Sequence, residues 1–212
     1  MFKPEDSQTK QRFYNKSSRY KNNKPSYSNK QNEGQKNLTV ILDLDNTLIS
    51  SFILSPNSSI CDFLFTLQDF PEMIGVVKRP NVDSFLMKLS SIATIYLFTS
   101  AEREYATKIV NEIDPMGIYF TKIFTRENCI QIDDKKYKKD YSICKTNMSR
   151  TLIVDDIPDN FKDYAKNGIS VCPYNGGIED NDLVRVLQKI TNLSGLIDVR
   201  TGISTEQKFI SK

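Results

Sequence analysis

Three short strings of carboxylates and hydroxyls stand where apolar runs stop. Asp43-Leu44-Asp45-Asn46-Thr47 follows the run LTVIL, Thr99-Ser100 follows IYLF, and Asp155-Asp156 follows TLIV. A lysine pair, Lys138-Lys139, lies between the second string and the third. Gathered at one edge, these residues would form a group of carboxylates with two hydroxyls and an ammonium. Carboxylates held together repel one another, so such a group requires a positive partner. A donor set made only of oxygen suits a hard cation, and Mg²⁺ is the natural choice. The chain contains no histidine. That excludes a Ser-His-Asp triad, a histidine phosphoenzyme, a zinc metalloprotease helix and a Cys2His2 finger.

The elements that must position these residues alternate along the chain. Strand-like runs fall at 38–43, 95–100, 122–125, 151–156 and 169–173. Between them lie helical patterns. Val82, Phe85, Leu86, Leu89 and Ile92 share one helical face, and Tyr105, Ala106, Ile109, Val110 and Ile113 share another. A last helix over 180–193 turns Leu183, Leu187 and Ile190 inward. Runs apolar throughout, separated by amphipathic helices, indicate an α/β fold: a doubly wound, mainly parallel sheet of about five strands, covered on both faces. Ligands of such sheets sit at the carboxyl ends of the strands, where the acidic strings stand. About thirty residues between Thr47 and the first helix suit a small β insert, and no stretch has room for a large cap.

The 212 residues divide unevenly. Residues 1–36 contain no Leu, Ile or Val, and Asn, Gln and Ser fill fourteen of those positions. Such a segment buries too little apolar surface to offset its ordering entropy, so a disordered tail is expected there. The tail holds nine Lys/Arg against three Asp/Glu, so the rest of the chain, which is +3 overall, carries −3. The expected domain therefore spans 37–200, with a flexible C-terminus over 201–212. Its acidic balance argues against direct nucleic-acid binding by the folded part. The apolar runs are far short of a membrane span. Four scattered cysteines, 61, 129, 144 and 172, read as reduced thiols. Cys144 and Arg150 fit a C-x5-R string, but a strand follows it and the loop lacks glycine, so it does not read as a phosphate cradle.

Several motifs together resemble one family. DLDNT has the DxDxT form of haloacid dehalogenase-type phosphatases. ILDLDNTLISSF (41–52), VVKRPNVDSFL (76–86), YLFTSAEREYA (96–106), IFTRENC (123–129), YKKDYS (137–142) and LIVDDIPDNF (152–161) are similar to the small C-terminal-domain phosphatases, the NLI-interacting-factor-like domain. PYNGGIEDNDL (173–183) follows that pattern more loosely. The resemblance covers roughly residues 38–193.

It implies a Mg²⁺-dependent phosphoserine/phosphothreonine protein phosphatase. Asp43 would be the nucleophile that forms an aspartyl-phosphate, a role a carboxylate fills without a histidine base. Asp45 would be the general acid and base, which requires the strand to end at Asp43 and Asp45 to lie in a loop. Thr99 rather than Ser100 would bind the phosphoryl group, and Lys139 rather than Lys138 would stabilise its charge. Asp43, Asp45, Asp156 and Asp155 would form the metal site. Arg126, Phe52 and Tyr105 would bind substrate. The expected partner is a phosphorylated protein segment, such as the RNA polymerase II tail. However, Glu102 replaces an apolar pocket residue of the family, and the usual histidine after DxDxTL is missing, with one residue dropped. A small-molecule phosphatase of the same fold and a non-catalytic tethering domain remain alternatives. A monomer in the nucleus or cytoplasm is expected, the nucleus favoured.

Overall fold

The computed structural model describes residues 37–55, 60–134 and 136–206, the side chains as far as Ile203. The expected tail over 1–36 and the last residues, 207–212, lie outside the described residues. In chain order the elements are β1 (Thr39–Leu42), β2 (Ile49–Ile53), β3 (Phe63–Leu67), β4 (Phe70–Lys78), α1 (Val82–Ile92), β5 (Thr94–Phe98), α2 (Arg103–Ile113) and β6 (Phe120–Phe124). They continue with β7 (Ile130–Gln131), β8 (Tyr137–Lys138), β9 (Thr151–Asp155), β10 (Gly168–Ser170), α3 (Asp182–Ser194) and α4 (Arg200–Glu206).

Five strands form one parallel sheet in the order β10-β9-β1-β5-β6. β1 is central because its side chains are apolar on both faces. Val40 and Leu42, with Ile95, Leu97, Leu152 and Val154, join the cluster that takes the inner faces of α1, α2 and α3. Ile41, Phe98 and Ile153 point the other way and meet Tyr141, Cys144 and Phe161. Each fully buried aliphatic side chain of β1 contributes about 1.5–3 kcal/mol. The two faces are covered differently. The three long helices serve the first, whereas 3-10 segments at Tyr141–Cys144 and Pro158–Asn167 close the second. Gly168 lets the second cover lie flat on the sheet, since a Cβ there would come within 2.1 Å of the Phe161 ring.

Two additions shape the sheet's carboxyl edge. β2, β4 and β3 make a small antiparallel sheet inserted directly after β1, in the order β2-β4-β3. The β7–β8 hairpin returns the chain so that Lys139 follows its second strand. The C-terminal boundary differs from the expectation. Residues 200–206 are helical in α4, anchored by buried Val199 and Ile203. Two apolar residues among polar neighbours give too little periodic signal to reveal a helix of seven residues.

Candidate active site

The turn after β1 has few alternatives. The strand stops at Leu42, and the Asp43 N–H still donates to the Val154 carbonyl of β9 at 2.9 Å. The N–H groups of Thr47, Leu48 and Ile49 then converge on the Leu44 carbonyl at 3.3, 2.8 and 3.3 Å. Asn46 takes a φ of 56°, the left-handed region that asparagine tolerates better than most residues. The Thr47 hydroxyl donates to Asp43 Oδ2 at 3.0 Å. Asp45 therefore lies in a tight loop, and its charge acts on Asp43.

Lys139 joins the loop to the end of β9. Its Nζ donates to Asp43 Oδ1 at 2.5 Å and to Asp155 Oδ2 at 2.7 Å, with all three side chains buried. Asp155 also accepts from Asn160 Nδ2 at 2.9 and 3.1 Å and from the Ile157 N–H at 2.9 Å. Burial works to lower the Lys139 pKa, but the Asp43 and Asp155 charges outweigh it and hold the ammonium well above its ordinary value. Burial pushes the Asp43 carboxyl up to about 7, against the pull of Lys139 and with help from Asp155 and Asp45. Asp156 is half-buried and is likewise raised by burial and by Asp155.

One oxygen each of Asp43, Asp155 and Asp156 lies within 4.8 Å of the others. This all-oxygen set holds more carboxylates than its lysine can offset, which fits a hard divalent cation. The side chain of Asp45 is not part of that set. It accepts a short hydrogen bond from the Tyr105 hydroxyl, and the nearby Thr99 hydroxyl also acts to lower its pKa. The Tyr105 oxygen in turn accepts from Ser51 Oγ at 2.8 Å. Burial raises the Asp45 carboxyl against these donors.

An open groove of about 820 Å³ runs outward from Asp45. Phe52 from β2 and Tyr105 from α2 line it, and the Tyr105 ring packs on Phe65 at 5.7 Å. Arg126 also reaches the groove, but its guanidinium is engaged there. Nη1 donates to Glu102 at 2.6 Å, Nε donates to the Ser100 carbonyl at 2.9 Å, and the group sits 5.0 Å from the centre of the Tyr137 ring. Thr99 is buried just past β5, where its hydroxyl also accepts from the Ala101 N–H at 3.0 Å. Ser100 is exposed and caps nothing in α2. Lys138 turns away to pair with Asp163 at 2.6 Å. Cys144 is buried against the second sheet face and Arg150 donates to backbone carbonyls, so the C-x5-R string is structural.

Sequence reasoning did not single out Arg79. Its side chain is fully buried and donates to Asp180 at 2.9 and 2.8 Å, to the Thr47 carbonyl at 3.1 Å and to the Cys172 carbonyl at 2.8 Å. It thereby pins the far side of the Asp43–Thr47 loop. VVKRP and GIEDN, two of the quoted strings, contain the two ends of this bridge, 101 positions apart. Asn160, in IPDNF, was also missed as the partner of Asp155.

A sequence profile of the NLI interacting factor-like phosphatases matches residues 38–200, and the chain belongs to that family. It is 29% identical over 173 residues to the human carboxy-terminal domain RNA polymerase II polypeptide A small phosphatase 2, covering 81% of this chain and 62% of that protein. Nuclear envelope morphology protein 1 of Schizosaccharomyces pombe is 29% identical over 164 residues, covering 76% of this chain and 34% of the relative. The chain thus spans about three-fifths of the first relative and a third of the second. The fission yeast RNA polymerase II CTD phosphatase Fcp1 bound to beryllium fluoride has the same fold, with a TM-score of 0.57 at 21% identity over 82% of this chain and 55% of that one.

Proposed function

We propose that this domain is a Mg²⁺-dependent phosphoserine/phosphothreonine protein phosphatase that works through an aspartyl-phosphate on Asp43. The observation that carries this reading is the buried contact of Asp43 with Lys139, beside Asp155 and Asp156 and one turn from Asp45. An Asp43 oxygen attacks phosphorus in line with the ester bond. As that bond breaks, Asp45 gives its proton to the departing alkoxide. Asp45, now a carboxylate, takes a proton from water as the water attacks the phosphoryl group, and phosphate leaves with Asp43 restored. Lys139 sits where phosphoryl charge builds and draws the Asp43 carboxyl towards its ionised form. Thr47 and Lys139 fix the two Asp43 oxygens, while Tyr105 and Thr99 aim Asp45.

Asp43 and Asp156, with the backbone carbonyl of Asp45, would hold Mg²⁺. The ion would supply charge neutralisation for the phosphoryl oxygens. Asp155 completes that acidic set and, through its bonds with Lys139, Asn160 and the Ile157 N–H, also holds Lys139 in place. The site opens into a groove rather than beneath a cap, which favours a flexible peptide over a small metabolite. No helix among the described residues is long and apolar enough to cross a membrane. We place the domain in the nucleus or cytoplasm, acting as a monomer.

The test is phosphate release from phosphoserine peptides beside a panel of small phosphate esters, with Mg²⁺ and with a chelator. Mg²⁺-dependent release favouring peptides is expected. Chelator-resistant release would remove the metal from the mechanism. A preference for sugar or nucleotide esters would point to a small-molecule phosphatase, and no release from folded protein would point to a tethering domain.

A further inference from the structure

We propose that the groove beside Asp45 selects phosphorylated segments in which a basic residue neighbours an apolar one close to the phosphoserine. This deepens the phosphatase reading and rests on it. The groove has two surfaces of opposite character. Its floor is apolar, built from Phe52, Leu67, Phe70 and Ile74 around the Tyr105 ring. Its rim is acidic, with Asp69 from the β3–β4 turn and Glu102 and Glu104 from the start of α2.

The single cation in the lining, Arg126, offsets only the Glu102 part of that rim. It is spent on Glu102 and on the Ser100 carbonyl. Among the described residues Glu104 accepts only a backbone N–H, that of Gln68 at 3.1 and 3.3 Å. No ion pair to Asp69 or Glu104 exists among the described residues. Three carboxylates thus face one guanidinium, with Asp45 at the inner end. An apolar side chain removes floor area from water. A guanidinium or ammonium beside it meets the rim, whereas an acidic neighbour meets repulsion. The phosphate itself is drawn inward by Lys139, so the segment would be anionic at its phosphoserine and cationic beside it.

The test uses matched phosphoserine peptides that differ only in having Arg or Glu next to a leucine beside the phosphoserine. Catalysis is read as kcat/KM on the wild type. Binding is read as Kd by fluorescence anisotropy on Asp43→Asn, which retains the groove but lacks the nucleophile. Arg should exceed Glu by about tenfold in both at low salt, with the gap shrinking as salt rises. Asp69→Lys combined with Glu104→Gln should cut the preference to about twofold or reverse it. Asp69→Asn, on an exposed turn, serves if the double variant does not fold. Turnover of both peptides at equal rates, with equal Kd values, overturns the proposal and leaves the phosphatase reading intact. No turnover, with Arg still binding more tightly, overturns the phosphatase reading alone. A preference for Glu would mark the groove as one for acidic segments.

Discussion

Two buried charge clusters grip opposite sides of the Asp43–Thr47 loop, and they are built on different principles. Around Arg79, each charge is answered. Asp180 and Asp182 face Arg79 and Arg185, and the remaining Arg79 donors end on carbonyls. Arg79 holds the Asp180 carboxyl below its usual range. Burial would raise Asp182, but Arg185, the Cys172 N–H and Arg79 bring it below as well. Around Lys139 the balance fails. Asp43, Asp45, Asp155 and Asp156 share one ammonium, and burial raises Asp43, Asp45 and Asp156. A closed ion-pair network holds a loop in place, whereas an acidic excess around one ammonium leaves room for a further positive charge.

The largest difference between the clusters should appear in catalysis. Asp43→Asn keeps the shape and the bond from Lys139, with the Thr47 hydroxyl turning to accept from the new amide, but removes the proposed nucleophile, so phosphate release should fall by about 10³-fold or more while the unfolding midpoint changes little. Turnover within tenfold of wild type would erase the distinction between the clusters. Arg79→Met should do the reverse. It strands Asp180 and Asp182 without their main partner and should cost about 3 kcal/mol in denaturant unfolding. The molecules that remain folded should keep their Mg²⁺ dependence. A variant as stable as wild type would show that the loop needs no pin.

Smaller effects sharpen the contrast. Tyr105→Phe leaves the ring on the groove wall but frees Asp45 from its hydroxyl donor. A fall of about tenfold in kcat with KM little changed is expected. A rise in KM alone would make Tyr105 a substrate contact instead. The smallest effect concerns acid. Asp180 and Asp182 titrate below their unfolded values, so the stability they add is present above about pH 4 and is lost as pH falls through their folded values. Urea midpoints followed from pH 6 to pH 3 should therefore drop further for wild type than for Arg79→Met. Parallel curves would show that the depression does not come from Arg79.

The sequence carried one of these clusters far better than the other. Asp43, Asp45, Thr99 and the Asp155-Asp156 pair each end an apolar run, so a parallel sheet gathers them at one edge wherever its strands lie in order. Lys139 needed the phase of YKKDYS, because spacing alone does not separate it from Lys138, which the structure pairs with Asp163. Arg79 left no such trace. It follows β4 as an ordinary basic residue, and only the fold brings Asp180 to it across 101 positions. Tyr105 was visible as an aromatic near the site, but its hydrogen bond to Asp45 depends on how α2 packs beside β3. The 3-10 segments over the second sheet face were also silent, since their cover rests on single residues such as Tyr141 and Phe161 rather than on a period.

The measurement that bears most directly on the Lys139 cluster is chemical trapping at Asp43. An aryl phosphate with a good leaving group is offered to the wild type and to Asp45→Asn, in which the phosphorylated state should persist. Acid quench, borohydride reduction and peptide mass spectrometry then locate the reduced residue. Transfer through an aspartyl-phosphate predicts homoserine at position 43, more abundant in Asp45→Asn than in wild type. Release of phosphate with Asp43 unmodified, or reduction at any other carboxylate, would contradict it.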